Sequence, residues 1–95
     1  MMIINAKIKI LEEKRDEYLK LMESLVEETR KEDGVLYYSH FEDVQERNTF
    51  VIVENYVDET AINSHMESSH FQNFNNKVKE YVAEEPVIEI AQQIK

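Results

Sequence analysis

The chain has 95 residues, 20 of them acidic and 11 basic, and its formal net charge is -9. An acidic surface repels phosphate groups, so nucleic acids and anionic membranes are not expected partners. The absence of cysteine excludes disulfide bonds, thiolate metal sites and a thiol nucleophile. The length predicts a single domain over residues 1–95. No apolar run approaches the roughly 20 residues of a membrane span and no signal peptide is evident, so we expect a cytoplasmic location.

The first part of the chain predicts a strand followed by a long helix. Residues 2–10 alternate between apolar and polar side chains, with Ile4 on one face and Asn5 on the other. From residue 12 to about residue 32 the apolar side chains follow a helical spacing instead. They are Tyr18, Leu21, Met22, Leu25 and Val26. Gly34 is predicted to cap this helix, because glycine adopts the left-handed conformation without steric cost.

The middle of the chain predicts a β-hairpin. Residues 35–43 and 49–57 are rich in β-branched and aromatic side chains, and a polar turn over residues 44–48 joins them. These two segments therefore supply the second and third strands of the predicted sheet.

The last part of the chain predicts a second helix in two pieces and a final strand. Asp58 is a predicted N-cap, and the capping-box spacing of Ser69 and Gln72 predicts that the helix restarts there. An apolar stripe continues along the restarted helix. Its members are Phe71, Phe74, Val78, Tyr81 and Val82. Pro86 is predicted to end the helix before a strand over residues 87–94.

The resulting order, β-α-β-β-α-β, predicts an α+β ferredoxin-like fold, in which both helices lie on one face of an antiparallel sheet. Apolar side chains also occur on both faces of the predicted strands, as in Ile3 beside Ile4 and Val51 beside Ile52. A sheet that is apolar on both faces needs a second cover, and the simplest is the same sheet from another copy. We therefore expect a homodimer.

The third predicted strand places a carboxylate, Glu54, on a face that is otherwise apolar. A buried carboxylate must be paired, hydrogen-bonded or protonated. Across the hairpin, Tyr38 and His40 could meet Glu54 and Tyr56. Structural alternatives stay open, because Glu54 could pair with a lysine or a backbone amide, and His40 could be a surface residue near the turn.

Two histidines, His65 and His70, occur in the second helical segment. Their spacing of five residues does not place them on one helix face, whereas metal-binding pairs on helices prefer i and i+4. No acidic residue completes an evident metal cluster, so no metal site is predicted. His65 follows Ala61 by four residues and is expected to point inward, either as a pocket group or as a core histidine bonded to the backbone.

Residues 50–74, FVIVENYVDETAINSHMESSHFQNF, resemble the antibiotic biosynthesis monooxygenase family. That family has an apolar strand ending in Glu-x-(Trp or Tyr), an acidic turn, an alanine, a histidine, and a serine-containing turn before His-Phe-x-x-Phe. The matching residues are Glu54, Tyr56, Asp58, Ala61, His65, Ser69, His70, Phe71 and Phe74. The stretch KEDGVLYY, residues 31–38, is similar to the family's acidic-Gly-x-x-x-Tyr entry into strand two.

The resemblance implies a dimeric α/β barrel and a monooxygenase that acts on a small quinol or polyphenol with dioxygen and with no cofactor. It implies that His65 is a catalytic base or hydrogen-bonding group, and that Glu54 is its catalytic partner or a positioning group. It also implies a set of substrate-binding residues in the pocket. They are Asn5, Tyr38, Tyr56, His70 and Phe74.

Two other functions remain open. Glu-x-Tyr followed by Asp-Glu is also similar to the isomerase subgroup of the family, which processes a small phosphorylated signalling molecule. The chain could also form a non-catalytic dimer that binds a small ligand. Haem-degrading relatives share an early asparagine like Asn5, but they need a haem-ligating histidine where this chain reads FQNFNN, so haem is not an expected cofactor.

Overall fold

In the computed structural model, strands and helices follow the predicted order. The structure describes residues 1–94, and Lys95, the end of the predicted domain, lies outside the described residues. The strands are β1 (Met2–Lys9), β2 (Val35–Glu42), β3 (Thr49–Tyr56) and β4 (Val87–Gln92). The helices are α1 (Arg15–Thr29), preceded by a 3₁₀ turn (Glu12–Lys14), α2 (Glu59–Glu67) and α3 (Ser69–Val78). Within residues 1–94, no helix is long and apolar enough to cross a membrane.

The strands form one antiparallel sheet in the order β2-β3-β1-β4. The two central strands, β1 and β3, pair along their whole length, from Met2 opposite Tyr56 to Lys9 opposite Thr49. This is the strand order of the ferredoxin-like fold. The predicted α+β, ferredoxin-like fold class is therefore confirmed.

The helices cover one face of the sheet, where a main apolar core forms between the layers beside a smaller cluster of Ile4, Tyr56 and Ile62. Tyr18, Met22 and Leu25 of α1 are almost fully buried against this face, together with Phe74 of α3. Burial of each such side chain stabilises the fold by about 1.5–3 kcal/mol. The opposite face carries Tyr37, Phe41 and Val87, which are 43%, 48% and 57% exposed, so this chain alone leaves that face uncovered.

Strand β2 contains an irregularity that changes which of its residues face the helices. The pairing register with β3 shifts between Val35 and Tyr37. As a result Leu36 is 56% exposed while Tyr38 is buried. Strict alternation along the strand predicts that Leu36 lies on the same face as Tyr38, and this prediction is wrong at Leu36 because of the irregularity.

The predicted role of Gly34 as a left-handed helix cap is wrong. Helix α1 ends at Thr29 rather than near residue 32, and the glycine has no positive φ. Glycine is needed there because the backbone approaches α2 closely. A Cβ atom added to Gly34 would lie 2.4 Å from the Cβ of Ala61, and the Gly34 carbonyl accepts a hydrogen bond from the Val57 N–H.

The second helix divides at a serine, as the sequence predicts, but one residue earlier. Asp58 caps α2 through a hydrogen bond from the Ala61 N–H to its side chain. The cap of α3 is Ser68, whose hydroxyl accepts from the Phe71 N–H, and not Ser69. Because Ser68 has extended backbone angles, the chain turns there and α3 starts in a new direction.

The contact between Gly34 and Ala61 generates the first prediction. The substitution Gly34→Ala should lower the free energy of unfolding by about 1–3 kcal/mol, because two Cβ atoms cannot share this space. Urea denaturation followed by circular dichroism measures the change. The double variant Gly34→Ala with Ala61→Gly serves as the control, since it removes the clash. A double variant no more stable than Gly34→Ala would contradict this explanation.

Candidate functional site

A cavity of about 200 Å³ lies between the sheet and helices α2 and α3. Its wall is mainly aliphatic and aromatic, and it extends to Ile88 and Ile90 of β4, which are about 60% exposed. Polar side chains reach the cavity at a few points only. They are Tyr38, Glu54, Tyr56, His65 and Asn75. None of the described residues that line it is a lysine or an arginine.

Glu54 lies at the centre of this wall because β3 alternates. Phe50, Ile52, Glu54 and Tyr56 all point toward the helices, and each is buried. The Tyr56 hydroxyl donates a hydrogen bond to Glu54 Oε1 over 2.5 Å, and Tyr38 lies directly opposite on β2. Burial raises the pKa of Glu54 to about 7, although the hydrogen bond from Tyr56 opposes this. Neither a lysine partner nor a backbone cap, the structural alternatives for Glu54, is found here.

His65 lies at the other side of the same cavity and is 2% exposed. Its ring is surrounded by the aromatic rings of Tyr38, Tyr56 and Phe71, with centroids at 5.4, 5.8 and 5.0 Å. Burial lowers the pKa of His65, and the carboxylate of Glu32 opposes this effect. The neutral imidazole is therefore favoured at neutral pH, which leaves one ring nitrogen able to accept a proton.

The hydrogen-bond partner of His65 is Glu32, so the expectation that Glu54 is its partner is wrong. His65 Nδ1 lies 2.9 Å from Glu32 Oε2, and His70 Nε2 lies 2.5 Å from the same oxygen. His65 Nε2 is buried and has no hydrogen-bond partner among the described residues. The His65 ring is therefore bonded to a carboxylate and not to a backbone group, and its second nitrogen is a buried polar atom that the described residues leave without a partner.

The predicted site residues divide into two sets. Those that line the cavity are Tyr38, Glu54, Tyr56, His65 and Phe74. Asn5 does not, because it is exposed on the opposite face of β1. His70 does not line the cavity either, and it bonds Glu32 behind His65. The expectation that Asn5 and His70 contact a substrate in this cavity is therefore not supported by their positions.

Glu32 is the residue that sequence reasoning missed. It is 33 residues from His65 and 38 residues from His70 along the chain, so no local spacing connects them. The argument that no acidic residue completes a cluster with the two histidines is wrong, because one donor atom from each of the three lies within 4.8 Å of the others. The distance of 2.9 Å from His65 Nδ1 to Oε2 is that of an imidazole N–H donating to a carboxylate, and the His70 contact is shorter.

The chain is similar to known proteins in both sequence and structure. Residues 1–77 match the family described as antibiotic biosynthesis monooxygenase. A Bacillus subtilis protein named "Putative monooxygenase YcnE" is 45% identical over 83 residues, which cover 87% of each chain. A crystal structure described as an antibiotic biosynthesis monooxygenase superposes with a TM-score of 0.94 at 26% identity, over 100% of both chains. A conserved protein from Methanosarcina mazei Go1 has a TM-score of 0.94 at 28% identity, and the match covers 98% of this chain and 92% of the other.

The raised pKa of Glu54 generates the second prediction. Between its ordinary pKa near 4.5 and about 7 the folded chain holds a proton that the unfolded chain has lost. The free energy of unfolding should therefore fall as pH rises through this window, by on the order of 2–3 kcal/mol. Glu54→Gln keeps the size of the side chain and an acceptor oxygen, but it cannot titrate. The stability of the variant relative to the wild type should therefore rise from about pH 5 to about pH 8.

Urea denaturation of both proteins across this pH range isolates the contribution of Glu54, because every other titrating group is common to the two. A stability difference that does not change with pH would contradict the raised pKa.

Proposed function

Because the chain belongs to the antibiotic biosynthesis monooxygenase family, we propose that it is a cofactor-independent monooxygenase of a small quinol or polyphenol. The observation that carries this proposal is a pair of titratable groups in one apolar cavity. Burial raises the pKa of Glu54 to about 7, so its carboxyl is near the point of losing a proton at neutral pH, and burial lowers the pKa of His65, so its imidazole is neutral there and can accept one. Groups with such shifted pKa values are suited to proton transfer.

The shape of the cavity supports a ring-shaped, largely apolar substrate. Tyr56, Phe71 and Phe74 provide aromatic surface for packing against a planar ring. A volume of about 200 Å³ is below the roughly 300–1,000 Å³ of pockets for drug-sized ligands. The substrate we propose therefore has one or two rings rather than an extended polycyclic system.

The proposed reaction takes its electrons from the substrate. Removal of a hydroxyl proton gives a phenolate, which passes one electron to dioxygen, and the resulting pair of radicals forms a carbon–oxygen bond. The oxygen–oxygen bond then breaks as the ring carbon loses its hydrogen. One oxygen atom stays on the ring as a carbonyl, and the other leaves as water once it has taken up protons. The substrate therefore loses two hydrogens and gains one oxygen.

The two titratable groups are suited to different steps of this sequence. His65 Nε2, which has no partner within the described residues, is the base that accepts the hydroxyl proton. Glu54 is protonated below about pH 7 and can supply a proton to the departing oxygen. The hydroxyl of Tyr56 orients the Glu54 carboxyl through its hydrogen bond.

The alternative of an isomerase acting on a phosphorylated molecule receives less support from this cavity. A phosphate group needs cationic side chains or several backbone N–H donors. The described lining contains no lysine or arginine and includes the carboxyl of Glu54. A neutral or phenolic ligand suits these surroundings better than a dianion.

The third prediction tests the activity directly. Oxygen uptake above the rate of autoxidation is expected with one-ring and two-ring quinols and not with polycyclic ones, because of the cavity volume. His65→Ala should lower the turnover rate about 10²-fold, the usual scale for loss of a general base. An oxygen electrode and the absorbance of the quinone product measure both.

His40→Ala is the matched control. His40 is a half-buried histidine that bonds the Tyr18 hydroxyl at 2.9 Å and stacks on Phe50, outside the cavity. This variant should keep its turnover rate per folded molecule. If no quinol of one or two rings is oxidised faster than in buffer, the chain is a ligand-binding protein or an enzyme of another class, and the proposal fails.

We also propose that two copies pack sheet against sheet. The sheet face away from the helices carries Phe41, Val51 and Val87 in one row, in which Lys7 of β1 lies between Val51 and Val87, and Val53 in the next row. Exposed apolar patches of this kind are characteristic of interfaces, and a two-fold axis would let the same face cover itself.

The fourth prediction concerns this interface. At micromolar concentration, sedimentation velocity should give the mass of two chains. Val53→Asp should shift the protein to the mass of one chain, since a buried charge would lie in the interface. Val44→Asp changes a fully exposed turn residue and should leave the dimer intact. A wild-type chain that sediments as a monomer would rule out this arrangement.

A further inference from the structure

Glu32 lies between the cavity and a depression on the protein surface. On one side it bonds His65, which lines the cavity. On the other side it borders an open depression of about 450 Å³, together with Gly34, Ser64 and Ser68. The Glu32 side chain is only 18% exposed, so it lies between the two spaces rather than in solvent.

The geometry of Glu32 selects one tautomer of His65. A carboxylate oxygen only accepts hydrogen bonds, so the ring nitrogen that faces it, Nδ1, carries the hydrogen. In a neutral imidazole the other nitrogen, Nε2, then holds a lone pair. The opposite tautomer would turn the Nδ1 lone pair toward the carboxylate and leave a buried N–H at Nε2 without a partner, a cost of about 1–3 kcal/mol.

His70 holds the carboxylate in the orientation that this tautomer needs. Its Nε2 bonds the same oxygen of Glu32 from α3, while His65 approaches from α2. The rings of Tyr38 and Tyr56, which also lie near the His65 ring, come from the sheet. Glu32 is therefore the carboxylate that is hydrogen-bonded to His65.

We propose that Glu32 is the positioning residue of His65, which it holds in the Nδ1–H tautomer so that Nε2 meets a cavity ligand as a proton acceptor. A base that is itself oriented by a third group is a recurrent arrangement in enzymes. The proposal rests on the proposed function only where it names His65 as the base. The tautomer itself follows from the contacts of Glu32.

The tautomer can be measured without any substrate. Nitrogen-15 NMR distinguishes protonated from unprotonated imidazole nitrogens, and the chain has three histidines, which His40→Ala and His70→Ala assign by loss of a signal. At about pH 8.5, above the ordinary histidine pKa of roughly 6.5, wild-type His65 should have hydrogen on Nδ1 and not on Nε2. Hydrogen on Nε2 in the wild type would overturn the proposal, and this arm requires no variant of Glu32.

The second arm measures turnover. Glu32→Ala should lower kcat by between about 10-fold and roughly 10⁴-fold, the loss seen when the group that orients a histidine base is removed. KM should change little, because Glu32 does not line the cavity. Glu32→Gln retains an acceptor oxygen and should recover part of the loss. The matched control is Glu28→Ala, which removes a nearby glutamate that pairs with Lys31 at the surface.

The outcomes separate the two proposals. If wild-type protein oxidises no quinol but shows the Nδ1–H tautomer, the proposed function fails and the positioning role of Glu32 stands. If Glu32→Ala folds, keeps the wild-type kcat and leaves the tautomer unchanged, the positioning role fails whatever the substrate.

Discussion

The burial of Glu54 on the helix-facing side of β3 is the constraint on which the candidate site depends. Strand alternation places this carboxyl in a row of apolar side chains, where its charged form loses hydration. The hydrogen bond from the Tyr56 hydroxyl compensates only in part, since the pKa of Glu54 stays raised to about 7. An apolar residue at this position would avoid that loss of hydration, and the raised pKa that results is the property on which the proposed function depends.

A second constraint, the close approach of Gly34 to Ala61, brings the remaining polar groups together. Because the glycine has no side chain, the segment after α1 lies directly against α2. The hydrogen bond between the Val57 N–H and the Gly34 carbonyl fixes this contact. Glu32, two residues earlier, thereby reaches His65 and His70. Packing of one small residue thus determines the electrostatic surroundings of the histidine in the cavity.

Most of the fold could be predicted from the sequence, because alternation in β1 and β3 and helical spacing in α1 are local signals. The N-cap at Asp58 and the restart of the helix before Phe71 also follow from local signals. The predicted cap of the restarted helix is one residue too late, because Ser68 and Ser69 are both able to cap. The bulge beside Leu36 and the true end of α1 depend on packing, which a single sequence does not reveal. The sequence predicts Gly34 as a helix cap, whereas glycine is needed there because Ala61, 27 positions further on, lies too close for a side chain.

The site was predictable where a residue lies on a regular element. Glu54, Tyr56 and Tyr38 follow from strand alternation, and His65 from its spacing to Ala61. Glu32 could not be predicted, because its partners lie 33 and 38 residues away. The position of Asn5 was available from the alternation of β1, which already places it opposite Ile4, but the family resemblance favoured a pocket role.

We propose that the cavity between the sheet and helices α2 and α3 binds an aromatic ligand beside Glu54 and His65. A crystal structure of the protein with a bound two-ring quinone, the oxidised form of the proposed substrate class, tests this binding mode. We expect a ring packed against Tyr56 and Phe74, with an oxygen atom within hydrogen-bonding distance of His65 Nε2. Ligand found only at the interface between two sheets, away from these residues, would contradict it.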